Sequence, residues 1–171
     1  MKKIILCLFA FVFTISLLQA QKLSPDKFIN EIKKEDSAYA FTLPGWLIKV
    51  GGQIAINDEE IDYKERQMIK ELTAHIKKIR FVVSETLSPN FETNFKALAN
   101  YMSSNNYEQL ISVREEGNKI NLWALFDGNT IERMIVSVNG PEEGSVFFNI
   151  KSDIDMDRLK KMKFFQEWSS L

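Results

Sequence analysis

The sequence predicts an α+β fold: one domain in which a largely antiparallel meander of about five strands carries two or more helices packed on it. Three observations predict it. Residues 108–151 fall into four short alternating runs separated by Gly/Asn and Gly-Pro turn signals. Phe91, Phe95, Leu98 and Met102 recur at spacings of four, three and four, the period of one helix face. No repeat, low-complexity tract or Pro/Gly/Ser linker divides the chain.

The first element is not part of that domain. Met1-Lys2-Lys3 is a positive start, Ile4 to Leu18 is an apolar run broken only by Thr14 and Ser16, and Ala20 supplies a small residue. This is the layout of a secretory signal, with cleavage expected after Ala20. The run is shorter than the roughly 20 residues that span a bilayer. Residues 21–171 then form the domain, and export places it in the periplasm or outside the cell. Cys7, the only cysteine, lies inside the run and leaves with it. The remaining chain has no disulfide, no thiolate ligand and no cysteine nucleophile.

The mature elements follow in order. Ser24-Pro25-Asp26 opens a short charged helix to Lys34, with Ser24 as cap and Pro25 in the first turn, and this reads as a surface lead-in. Tyr39 to Leu43 reads as a short strand stopped by Pro44-Gly45. Trp46, Leu47, Val50 and Ile54 then fall at helical spacing, although Gly51 and Gly52 each cost such a helix about 1 kcal/mol relative to alanine. Those glycines suit close packing against a neighbour. After the polar break at Asn57–Glu60, Met68, Leu72, Ile76 and Ile79 mark the next helix. Arg80 to Ser84 changes to β-branched and aromatic character, the mark of a buried strand. Ser88-Pro89 opens the Phe91–Met102 helix, which Ser103–Asn106 ends. Strands at 108–115, 119–126, 130–138 and 145–151 follow, and a last helix runs from Asp155 to about Glu167.

Alternation sorts the meander into two faces. Ile120, Leu122, Ala124, Phe126, Met134, Val136, Val138, Val146, Phe148 and Ile150 share one side, which is the expected core face beneath the Phe91–Met102 helix. The other side mixes Asn121, Arg133, Ser137 and Asn149 with Trp123, Leu125, Ile135 and Phe147. Either the Trp46/Val50/Ile54 segment covers that second face, or its four large apolar residues form a partner-binding surface.

Sites of chemistry are scarce. Asp153-Ile154-Asp155-Met156-Asp157 alternates carboxylates like a calcium loop, but the glycine and the distal carboxylate that such a loop needs are replaced by Arg158 and Phe164. Asp155 therefore reads as a helix cap. His75 is the only histidine, which excludes multi-histidine metal sites. It reads as a boundary residue, the alternative being a hydrolase-like general base with acidic neighbours. There is no Gly-x-Ser-x-Gly elbow, phosphate loop or dinucleotide fingerprint, so no cofactor is expected. Net charge is −1, and −3 without Lys2 and Lys3, which argues against a nucleic-acid partner. Lys160, Lys161 and Lys163 with Phe164, Phe165 and Trp168 form a basic aromatic tail whose alternative reading is contact with a membrane surface.

Residues 75–162 resemble a bacterial envelope family designated domain of unknown function 4252. The resemblance rests on Ile76-Lys77-Lys78-Ile79-Arg80-Phe81-Val82, Asn106 to Leu110, Val113 to Gly117, Ile131 to Val136, and Asp153 to Leu159. It implies small exported proteins of Gram-negative bacteria, often lipid-anchored, without an assigned activity, and it carries over no catalytic residues. Two departures stand out. No cysteine sits at the end of the signal for lipid attachment, and Lys151-Ser152-Asp153 stands where a glycine would precede the aspartate. The resulting expectation is a non-enzymatic exported protein that binds a protein or small ligand through Trp123, Leu125, Ile135 and Phe147.

Overall fold

The computed structural model describes residues 23–57, 61–85, 89–115, 117–140 and 144–161. The elements are α1 (Pro25–Ile32), β1 (Ala38–Pro44), α2 (Gly45–Ala55), α3 (Tyr63–His75), β2 (Ile76–Ser84), α4 (Pro89–Ser104), β3 (Tyr107–Glu115), β4 (Asn118–Asp127), β5 (Thr130–Gly140), β6 (Gly144–Asp155) and α5 (Met156–Lys161). The fold is α+β, with six strands in the order β1-β2-β6-β5-β4-β3, every neighbouring pair antiparallel. β3 to β6 form the expected meander, and β2 then β1 extend it beyond β6.

Local chemistry accounts for the joints. Ser24 caps α1, its Oγ accepting from the Lys27 amide at 3.4 Å. Asp62 and Glu65 form a reciprocal capping box at the start of α3. Gly144 has φ +77°, and a Cβ there would lie 2.1 Å from the Ser84 carbonyl, so only glycine fits where β6 begins beside the end of β2. Gly52 brings α2 against α3, since an added Cβ would meet Thr73 Oγ1 at 2.7 Å, whereas Gly51 faces open space. Residues 151–153 run through continuous β6 strand, so the missing glycine corresponds to no turn. The last helix is described as far as Lys161; the expected continuation to Glu167, with Lys163, Phe164, Phe165 and Trp168 of the basic aromatic tail, lies outside the described residues.

The two helices that close the core are α1 and α4. α1 is no surface lead-in: Phe28, Ile29 and Ile32 put an apolar stripe on an otherwise charged helix, and all three are fully buried. They form one cluster with Leu23, Val82, Phe91, Leu98, Met102, Trp123, Ile135 and Phe147. The face that the Phe91–Met102 helix covers is therefore the mixed one, not the uniformly apolar one, and the expected assignment of faces is reversed.

Most polar groups on the covered face have partners that offset their burial, although Asn149 Oδ1 and Ser145 Oγ are buried without one among the described residues. Asn121 Oδ1 accepts from Ser112 Oγ at 3.1 Å and Gln109 Nε2 at 3.3 Å, while Asn121 Nδ2 donates to Ser137 Oγ at 3.3 Å. Buried side-chain polar groups cost little once hydrogen-bonded.

Candidate functional site

The expected partner-binding residues are mostly internal. Phe28 lies over Phe147 with ring centroids 4.6 Å apart, and Phe95 meets Trp123 at 5.9 Å. Trp123, Ile135 and Phe147 are buried. Leu125 is half-buried and lines a polar cleft near Arg133 and Tyr107. These four residues form no free docking surface. The cover does come from a helix, but it is α1 with α4; Trp46 and Ile54 of α2, the segment expected to provide it, are 66% and 69% exposed.

The reversal leaves an apolar face on the other side. Strand register arranges it in rungs. One rung runs Phe41, Phe81, Phe148, Val136, Leu122, Ile111, and the next runs Tyr39, Val83, Val146, Val138, Ile120, Val113. Neither rung contains a charged residue. A third rung begins with Leu43, Ile79, Ile150, Met134 and Ala124. At the end of the face beyond this rung, α3 supplies a partial cover: Leu72 packs against a small cluster containing Ala124, Ile131, Met134 and Ile154. None of the twelve residues of the first two rungs belongs to a buried cluster among the described residues. The inner ones are half-buried by their neighbours in the sheet, while Tyr39, Phe41 and Val113 are exposed.

Aromatic contacts give this face a spine. Phe41 stacks on Phe81 at 5.2 Å, and Phe81 meets Phe148 at 5.5 Å. β1 then passes directly into α2, whose Trp46, Leu47, Val50 and Ile54 are also exposed. At about 4.8 Å between strands, six strands are about 24 Å wide, and the two open rungs, about 7 Å each, are roughly 14 Å tall. The resulting area, roughly 330 Å², lies within the range for the largest apolar patch of a monomer.

One cluster of charge lies on the covered side. Asp26, in the first turn of α1, faces Arg80, Arg133 and Lys151. Its Oδ1 accepts from Arg80 Nη1 at 2.8 Å and Asn149 Nδ2 at 3.2 Å, while Oδ2 accepts from Arg133 at 3.3 Å and pairs with Lys151 at 3.6 Å. Partial burial pushes the Asp26 carboxyl up, but the Arg80 hydrogen bond and the charges of Lys151 and Arg133 outweigh it and hold it below its ordinary value. Arg80 Nη2 also donates to Asn30 Oδ1 at 2.7 Å, so the arginine ties two turns of α1 to β2.

His75 ends α3 among charged groups on the exposed side of the molecule. Its Nδ1 is 3.2 Å from Asp153 Oδ1, and Nε2 is 3.1 Å from Arg158 Nη1 and 3.8 Å from Glu71 Oε2. Acidic neighbours are thus present, and both ring nitrogens face charged side chains, Nδ1 the Asp153 carboxylate and Nε2 the Arg158 guanidinium. Desolvation pushes the Asp153 carboxyl up, but the hydrogen bonds from Lys77 and His75 and the charges of both together outweigh it, for a net lowering. Asp155 Oδ1 accepts from the Asp157 and Arg158 amides at 2.8 and 3.1 Å, which is cap geometry.

Sequence reasoning missed the open apolar face because it gave that set of residues to the core. The signal that identifies the covered set is α1: an apolar stripe of three residues adjoining an acid, opposite a sheet face carrying Arg133 and Asn149.

No curated protein and no solved structure matches the chain. A family model described as "Domain of unknown function (DUF4252)" matches residues 32–162, which extends the resemblance upstream through α2 and α3. That match spans about three quarters of the chain, from the end of α1 into the residues after α5, and the protein belongs to the DUF4252 family.

Proposed function

We propose that this is an exported, non-enzymatic binding protein of the cell envelope, and that it docks a protein partner on the face built from the Phe41–Phe81–Phe148 rungs. The observation that carries the reading is that this face is more uniformly apolar than the one its own helices bury. A monomer that acted alone would hide the greasier side. Export is supported by the layout of residues 1–20.

Shape argues for a protein rather than a small ligand. Small-molecule sites are concave and enclose most of their ligand. The rungs form a broad sheet surface, without charge at its centre, as in the core of a protein interface.

The test is to place polar residues on the face. Leu122→Thr and Val136→Thr should each change stability by less than about 1 kcal/mol, as at an uncovered site. They should also abolish a complex that the unaltered protein forms in its envelope, whether with another protein or with a second copy. A loss of several kcal/mol in the isolated mature protein would mean that the face is internal packing, and would overturn the reading.

A further inference from the structure

The cleft beside Asp26 has the chemistry of a ligand site independent of the apolar face. It lies between the start of α1, the end of α4 and strands β2 to β6, with a volume of about 570 Å³. That is the size range of small-molecule sites. Tyr101, Asn105, Tyr107, Arg133, Lys151 and Ser152 contribute most of its hydrogen-bonding wall.

Its electrostatics are unbalanced. Arg133 and Lys151 are direct cross-strand partners on β5 and β6, and the same rung continues from Lys151 to Lys78 on β2. Like charges placed directly opposite are destabilising unless an anion lies between them. Asp26 supplies one, but not evenly. Its Oδ1 is taken by Arg80 and Asn149 at 2.8 and 3.2 Å, whereas Arg133 and Lys151 reach only Oδ2, at 3.3 and 3.6 Å. Arg80, Arg133, Lys151 and the wall residue Lys77 thus stand against Asp26, Glu132 and Asp153, the last paired with Lys77 at 3.2 Å. Four cations face three acids, and one positive charge is left uncompensated.

Donors also remain. Arginine has five N–H groups and lysine three, and Asp26 engages a minority of them. Arg133 is largely sequestered, its side chain 18% exposed, while Lys151 reaches further into solvent. Burial raises the Tyr107 hydroxyl's pKa, against the opposing charge of Arg133, so that hydroxyl stays a proton donor at neutral pH. A guanidinium, an ammonium and a phenol around one hollow form a receptor for a planar or tetrahedral oxyanion.

We propose that this cleft binds a small ligand through an anionic group, a carboxylate or a phosphate, held by Arg133 and Lys151 with Tyr107 as a neutral donor. Asp26 then acts as an internal competitor, fixing α1 while partly occupying the same cations.

The test is titration of the full mature protein with inorganic phosphate and, separately, with acetate, each against sodium chloride at equal ionic strength. Binding is read by side-chain and amide chemical shifts. Saturable shifts centred on Arg133 and Tyr107 are expected with at least one probe. Phosphate alone saturating assigns a phosphate group, acetate alone assigns a carboxylate, and both together assign a general oxyanion site. Arg133→Gln should weaken binding about tenfold, and so should Lys151→Gln, a change at a half-exposed position that leaves the fold intact. Asp26→Asn should tighten it several-fold if the variant folds. Shifts that chloride reproduces, or saturable binding unaltered by Lys151→Gln, would overturn the proposal.

Discussion

The Phe28 ring of α1 sits 4.6 Å from the Phe147 ring of β6, tilted by 51°, and Phe147 has no exposed surface. This contact decides which side of the sheet is closed. Phe28 also meets Phe91 edge-on at 5.3 Å, so three aromatic residues from α1, α4 and β6 lock one layer together. Removing that lock should be costly. Phe147→Ser should destabilise the protein by about 3–5 kcal/mol, the range for losing a buried aromatic side chain, as measured by denaturant unfolding of residues 21–171. A cost below about 1 kcal/mol would place Phe147 outside the core.

Asp26 couples α1 to the sheet through charge, and its lowered pKa has a definite sign. A carboxyl whose folded pKa lies below its unfolded value contributes stability above that unfolded value and loses it as pH falls through the folded one. Asp26→Asn should therefore cost about 1–3 kcal/mol at pH 7, less than a fully buried pair because the carboxylate is partly exposed. The gap from the unaltered protein should close as pH drops below about 4, where carboxyls protonate in the unfolded chain. Urea unfolding at pH 7 and at pH 3 measures both ends. A gap constant across that interval would show that the ion cluster does not hold α1.

Neighbouring glycines in α2 should respond in opposite directions. Gly51 has nothing within 4 Å of an added Cβ, so Gly51→Ala should stabilise by about 0.5–1 kcal/mol through helix propensity alone. The same change at Gly52 drives a methyl group into Thr73, whose Oγ1 is held by the Ile69 carbonyl at 2.7 Å, and should destabilise by about 1–3 kcal/mol. Thermal unfolding of the two variants separates them, and equal shifts would contradict the α2–α3 packing.

Capping at α3 gives a smaller effect. Asp62→Ala removes the acceptor of the Glu65 amide at 2.8 Å and half of the capping box, for an expected loss of about 1 kcal/mol. No change would mean that the α3 start is frayed in solution.

Most elements were legible because their causes are local. Ser24-Pro25, Pro44-Gly45 and the turn glycines Gly117 and Gly128, with φ of 85° and 56°, mark boundaries in sequence as they do in space. The two faces of the meander were also legible as sets, since alternation needs only strand period. Which set lies inside was not. Hydrophobicity points to the Val136 and Phe148 side, and that rule fails here because Asn121, Ser112 and Ser137 pair laterally while Asn149 and Arg133 meet Asp26 from a helix more than a hundred residues away. Those pairings lower the penalty for burying polar side chains, and no local window contains them. Likewise, β2 was readable as a strand, but its place beside β6 depends on register between distant segments.

Partner contact through the open rungs is tested most directly by site-specific photocrosslinking in intact cells. A photoreactive side chain replaces Val136 or Leu122 in turn, and the exposed α4 residue Asn100 in a control. The account predicts one discrete protein adduct, a second copy of the chain included, from positions 136 and 122 and none from position 100. Adducts that form equally from all three positions, or from none, would contradict it.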